Sequence, residues 1–361
     1  MAEASVVVTG SGALTSLGMA AQSYAAFRAG FSRIAEWEDF RLLGPDEEFD
    51  PPEPLRAAFA PLPYDWSHPM DRRIELALPA LGEALQQAKL SGADYARARL
   101  SLALRPPVAP ESAEALGRYV LDGFSREGSL PAPKDSVLYF RGHASFAIAV
   151  IEAVRALRAH ECERAIVGGV DTFVDAAEVE RLDRDFRLRS ERAADGAMPG
   201  EAAAFVVLER ADTAAARGAR VFARVASYGY ADEPRPLGAP EPCRAEGQSL
   251  AIRNTLARAE RHGRAAAPPA WIVSDQNGER HRAQEWALTS TRLARELAES
   301  HALWHPATSF GDAGVASGAL HALLAAEAWR CGASPAPEAL LIASSDGPER
   351  AAVLLAAPGK E

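Results

Sequence analysis

Val137-Leu138-Tyr139-Phe140-Arg141-Gly142-His143-Ala144-Ser145, the apolar segment 146–159 and then Ala165-Ile166-Val167-Gly168-Gly169 decide how this chain is read. Four apolar, β-favouring residues running into a glycine predict a strand that enters a tight turn. Phe146, Ile148, Val150, Ile151 and Val154 follow in a segment long enough for a buried helix, and Ala165 to Val167 predict the next strand. A strand, a tight turn and a buried helix in succession make up the repeating unit of a layered α/β protein.

The same grammar extends in both directions. Ser5 to Thr9 form a β-branched run closed by Gly10-Ser11-Gly12. Helices are expected over 19–29 and 71–89, the second with Ile74, Leu78, Leu81 and Leu85 on one face and Pro79 as a kink. Residues 40–65, rich in Pro and acids, lack periodicity and read as a surface excursion, and Ala203 to Leu208 predict a further strand. Small and charged residues near 213–218 divide the chain into halves, 1–213 and 219–361. The second half repeats the pattern: strand 220–228, helix 247–262, strand 271–274, helix 282–298, a short strand near 306–309, helix 315–330 and strands 339–344 and 351–356. The expectation is an α/β fold of two similar halves with mostly parallel strands.

With 39 basic and 49 acidic residues the formal net charge is −10, which repels phosphate backbones and gives no electrostatic case for nucleic acid or an anionic membrane. The first residues carry no basic leader and no long uncharged apolar stretch occurs, so a cytoplasmic protein is expected. Cys162, Cys243 and Cys331 are odd in number and far apart, which indicates neither a disulfide framework nor a metal site. Gly10-Ser11-Gly12 lacks the later glycine of a dinucleotide fingerprint, so no cofactor is expected.

Four blocks carry a resemblance. Val6-Val7-Val8-Thr9-Gly10 opens the chain; Glu161-Cys162-Glu163-Arg164-Ala165-Ile166-Val167-Gly168-Gly169-Val170 looks like a G-E-C-D-x-A-x-A-G-G-V strand. Gly196-Ala197-Met198-Pro199-Gly200-Glu201-Ala202-Ala203 to Glu209 looks like G-F-x-x-G-E-G-A-A-x-x-V-L-E, and Gly311 to Ala319 like G-H-x-x-G-A-A-G-A. In this order they resemble the β-ketoacyl-[acyl-carrier-protein] synthases of the thiolase superfamily. The resemblance implies a thiolase-like fold of two duplicated layered halves, each with a five-stranded mixed sheet, and dimers that pair through the strand before the nucleophile, here 136–141.

The same resemblance implies a Cys-His-His triad, and this chain lacks it. Counting back from Cys162 without a gap puts the nucleophile position at His143, where an imidazole cannot carry a thioester intermediate. A helix N-terminus disfavours imidazolium there, so a neutral ring is expected. The first His position, in Trp271-Ile272-Val273-Ser274-Asp275-Gln276-Asn277-Gly278, is Asn277, which donates a hydrogen bond but cannot shuttle a proton. The second His is replaced by Asp312 and a Lys by Ala307. The family's glycine loop G-F-G-G-T-N becomes Ser344-Ser345-Asp346-Gly347-Pro348-Glu349-Arg350. His281 lies four residues beyond Asn277 and would approach the site only by a shift of its loop.

The expected role is therefore a catalytically inactive ketosynthase-like scaffold or partner subunit in fatty acid or polyketide biosynthesis, like the chain-length factors that lack the Cys. It would act as a homodimer or as a heterodimer with a ketosynthase-like subunit, and an acyl carrier protein is a candidate partner. Two alternatives stay open: a divergent acyltransferase or hydrolase using a His143/Asp312 pair on an acyl thioester, and an adaptor in a secretion-type assembly, which the Asp275 to Arg280 segment faintly resembles. Arg181, Arg184, Arg187, Arg189 and Arg192 form either a docking surface for an acidic carrier or a solvated charged face.

Overall fold

A computed structural model describes residues 4–44, 50–63, 69–106, 113–131, 133, 135–261, 263 and 267–359. The main sheet contains β1 (Val6–Thr15), β2 (Arg99–Leu104), β3 (Asp135–Tyr139), β4 (Arg164–Asp171), β5 (Ala202–Arg210), β6 (Ala223–Asp232), β7 (Trp271–Val273), β8 (Ala302–Trp304), β9 (Glu338–Ser344) and β10 (Glu349–Ala356). Their order is β8-β7-β9-β10-β6-β1-β5-β4-β2-β3, with a short strand, Gly18–Met19, added to β1. Numbered within its own half and counted outward from the centre, each set of five strands reads first, fifth, fourth, second, third. The two sets meet where β1 and β6 pair antiparallel, Val7 opposite Arg224.

Parallel pairing is confined to β2 with β3 and β4, and to β7 with β8 and β9; the remaining ladders are antiparallel. The expectation of mostly parallel strands is therefore corrected to a mixed sheet. The cause is visible at β9 and β10, which the short loop 345–348 joins as a hairpin, and a hairpin can only be antiparallel.

Two helices, Ser145–Arg158 and Ser317–Arg330, lie between the half-sheets. Ser317 to Ala328 are buried on every side, the mostly apolar sequence of that helix taking His321 and Glu327 into the interior with it. They share one hydrophobic cluster with Val6, Val167 and Val206 of one half and Val225, Val273 and Val353 of the other. Pro69–Gln87 and Ala113–Gly128 cover the outer face of the first half, with Ile74, Leu81 and Phe124 packed on Leu100 and Leu102. Ile252 of Glu246–Arg261 and Trp286 of Arg280–Arg292 cover the second half. None of the helices among the described residues is long and apolar enough to cross a membrane.

Two sequence expectations need correction. The segment 40–65 is in part a hairpin, Ala35–Leu42 with Glu53–Ala57, which buries Leu42, Leu55 and Phe59 against Val179, Leu182 and Leu188; Pro45 and Asp46 lie outside the described residues. The strand placed near 306–309 is Ala302–Trp304, and Ala307–Phe310 is a helical turn that begins at Pro306, whose fixed φ suits a helix start.

Gly169 shows how tightly the halves are joined. A Cβ there would stand 2.7 Å from the Val315 carbonyl oxygen and 3.1 Å from Ala316 Cα, backbone atoms of the turn that leads into Ser317–Arg330. Gly169→Ala should therefore lower stability by about 1–3 kcal/mol, measured by chemical denaturation, and an unchanged midpoint would contradict this packing.

Candidate functional site

Each central helix is entered by a tight turn. Gly142, at φ +59°, opens the turn Gly142–Ala144 before Ser145, and Gly314, at φ +52°, opens Gly314–Ala316 before Ser317. Both glycines sit in the left-handed region, where a side chain is strained. His143 is thereby fixed at the start of one helix and Asp312 just before the turn of the other. Asp312 is also pinned through its backbone, its N–H donating to the Met198 carbonyl at 2.7 Å and its carbonyl accepting from Gly200 N–H at 2.9 Å.

The three residues singled out in the sequence converge. His143 Nε2 lies 2.9 Å from Asp312 Oδ1, and Asn277 Nδ2 donates to Asp312 Oδ2 at 2.7 Å. Gly314 N–H donates to Asp312 Oδ1 at 2.8 Å, so both oxygens of this buried carboxylate are satisfied. Burial alone would raise the Asp312 pKa, but His143, Arg282 and Asn277 outweigh it and hold the carboxyl well below the usual carboxylate range.

Arg282 is the residue that sequence reasoning missed. Only 3% exposed, it donates to Asp275 Oδ2 at 3.2 Å, to Asp346 Oδ1 at 3.1 Å and to the Ser344 carbonyl, and its Nη2 lies 3.1 Å from His143 Nδ1. Guanidinium can only donate, so His143 Nδ1 must accept and the ring proton sits on Nε2, facing Asp312. Arg187 adds a second guanidinium, bonded to Glu279 at 2.6 and 3.1 Å and to Asp346 at 2.8 Å. Arg187 belongs to the arginine run, which is thus not merely a solvated face. Asp346 is held below the ordinary range: burial raises it, and Arg282 and Arg187 more than reverse this. His281 stays outside the His143–Asp312–Asn277 contacts, 4.0 Å from Asp346, with its pKa pushed down to about 4 by burial and by Arg282.

The helix start at His143 is closed by hydroxyls. Ser145 Oγ accepts from Arg141 N–H at 2.8 Å, and Ser345 Oγ accepts from Ala144 N–H at 3.0 Å while donating to the Arg141 carbonyl. His143 also lines a cavity of about 500 Å³ with Phe140, Phe173 and Leu188 on its apolar wall. Among the described residues none of the three cysteines lines it. Glu279, His281 and Asp346 come close enough to share a metal ion, as do Glu233, Cys243 and Glu285. In each group arginines already neutralise carboxylates: Arg187 and Arg282 on Glu279 and Asp346, Arg350 on Glu285.

Two stability predictions follow from this burial. Asp312→Ala strands Asn277 and His143 donors and should cost about 1–3 kcal/mol by chemical denaturation; a value near zero would mean that the carboxylate is not part of the core. His321, buried behind the site, has its pKa pushed down to about 3 by burial first of all. Unfolded, it titrates near 6.5, so the stability it protects is complete above that pH and falls as pH drops from about 6.5 toward about 3. His321→Leu should flatten that part of the stability–pH curve, and a curve parallel to the wild type would contradict the assignment.

Residues 143–214 match the family model of the β-ketoacyl synthase N-terminal domain. A curated relative, nodulation protein E of Rhizobium leguminosarum bv. trifolii, is 29% identical over 219 residues, 53% of this chain and 53% of the relative; the chain spans about half the length of the curated relative it matches. Among solved structures, the ishigamide ketosynthase/chain length factor matches with a TM-score of 0.77 and 19% identity over 99% of this chain and 100% of that one. An oxazolomycin ketosynthase domain of Streptomyces albus matches at 0.80, with 19% identity, over 99% and 76%. A type II PKS acyl-carrier protein in complex with its ketosynthase matches at 0.78, with 15% identity, over 99% and 100%. At such identities these structures establish the fold alone. The fold is thus that of solved ketosynthase structures, and the segment 143–214 carries the sequence likeness to the β-ketoacyl synthase N-terminal domain.

Proposed function

We propose that this chain is a ketosynthase-fold subunit that binds and pairs but does not condense acyl chains. The observation that carries the reading is the occupancy of the nucleophile position: His143 stands at the start of the central helix with both ring nitrogens engaged, Nε2 by Asp312 and Nδ1 by Arg282. A condensing enzyme of this type needs a thiolate there to hold the acyl group as a thioester. Asn277 and Asp312 cannot replace two proton-shuttling imidazoles, since Asn277 spends its amide on Asp312 and Glu279 and Asp312 accepts from three donors. The reading includes a division into two copies of one unit, 1–213 and 219–361, which the shared strand order supports.

Pairing is supported by β3. Among the described residues it bonds only to β2, which leaves its outer edge open within the sheet, and Val137, Leu138 and Phe140 are partly buried apolar residues. An open apolar edge is a liability unless a partner covers it. The partner fitting this reading is a second copy or an intact ketosynthase-like subunit, as in a chain-length-factor pair, with an acyl carrier protein as the further candidate.

Two measurements test the proposal. Incubation with acyl-CoA and acyl-carrier thioesters should leave the intact mass unchanged, and a stable acyl increment mapped to 141–146 would overturn the non-condensing role. Light scattering at micromolar concentration should give a two-chain mass, alone or after mixing with an intact ketosynthase. A single-chain mass in both cases would overturn pairing.

A further inference from the structure

An imidazole whose Nε2–H is held 2.9 Å from a carboxylate, beside a cavity, has the arrangement of an oriented general base. A general base also needs a free lone pair on its other nitrogen. In this chain that lone pair, on Nδ1, receives a hydrogen bond from Arg282 Nη2 at 3.1 Å. Arginine does not give up its proton near neutral pH, so the polarity of this contact is fixed. Nor can the guanidinium swing aside. Asp275, Asp346, Glu279 and the Ser344 carbonyl hold it from two segments, 275–279 and 344–346, and it is 3% exposed.

The geometry points to Arg282 as a masking residue: it fixes His143 as the Nε2–H tautomer and covers Nδ1, so that an otherwise complete Asp312–His143 base stands silent. Arg282 touches no reacting atom in this account and acts only through His143. This goes beyond the absence of a nucleophile, because it names what keeps the remaining imidazole from acting on water. Uncovered, Nδ1 would take a proton from a water molecule while the hydroxide adds to an ester carbonyl. The tetrahedral adduct would then expel the alcohol, which leaves with the proton returned from the imidazolium. Water and ester are thereby converted to acid and alcohol, and the imidazole is restored.

Arg282→Lys is the informative variant. It keeps a positive charge among Asp275, Glu279 and Asp346, but a single ammonium lacks the planar fork needed to reach these carboxylates and Nδ1 together. First, nitrogen-15 spectra of the histidine-labelled wild-type protein should show His143 with Nδ1 unprotonated and Nε2 protonated at neutral pH. Protonation on Nδ1 would overturn the proposal whether or not any variant folds. Second, Arg282→Lys should hydrolyse p-nitrophenyl acetate about 10²-fold faster than wild type, with a rate that rises as the imidazole loses its proton. Adding Asp312→Asn should remove that gain. A folded Arg282→Lys protein with the wild-type rate, or a gain indifferent to Asp312, would overturn the masking role. Neither result depends on whether the wild-type chain reacts with acyl thioesters, so failure here is distinguishable from failure of the non-condensing role.

Discussion

The carboxylate of Asp312 ties together segments that lie far apart in the sequence. A buried carboxylate is costly unless its oxygens are fully bonded. Here one oxygen accepts from the His143 ring and from Gly314 N–H, and the other from the Asn277 amide. Each donor comes from a different segment: His143 from the start of one central helix, Asn277 from the loop after β7, Gly314 from the turn before the other central helix. Neither His143 nor Asn277 could lose its side-chain donor without weakening the pairing of a buried carboxylate. His143, Asn277 and Asp312 are therefore physically linked, and together they make a hydrogen-bonded core.

Charge reinforces that closure. Asp275, Glu279, Asp312 and Asp346 surround two guanidiniums, Arg187 and Arg282, and the arginines tie the loop after β7, the helix Arg280–Arg292 and the loop after β9 to one another. On the opposite wall Arg105 binds Asp171 and Glu178, while Asp171 accepts from Val315 N–H at 2.9 Å. The donors that a helix start offers to an anion are partly spent on Ser145 and Ser345. A site whose charges are already paired and whose backbone donors are partly filled is suited to holding its own shape.

Much of this was legible in the sequence, for identifiable reasons. The central helices announced themselves by their long apolar runs, and the resemblance singled out His143 by a count back from Cys162, Asn277 by the glycine after it and Asp312 by the glycine before it. Arg282 could not be found that way. A single arginine at the start of an amphipathic helix resembles any solvated charge, and only the tertiary fold turns it toward His143. The strand near 306–309 was misplaced because Ala307 to Phe310 carry apolar side chains in either structure, and Pro306 decides for the helical turn. The hairpin at 35–57 was hidden by its acidic and proline-rich composition, since its burial comes from Val179, Leu182 and Leu188, far along the chain.

The claim at the centre of this account is that His143 and Asp312 form one interdependent structural unit. A double-mutant cycle measures this directly, using His143→Ala, Asp312→Asn and the two combined, each followed by urea denaturation. A coupling free energy of at least about 1 kcal/mol between the two positions is the predicted result. Additive losses, agreeing within about 0.5 kcal/mol, would show that the two residues only happen to be neighbours.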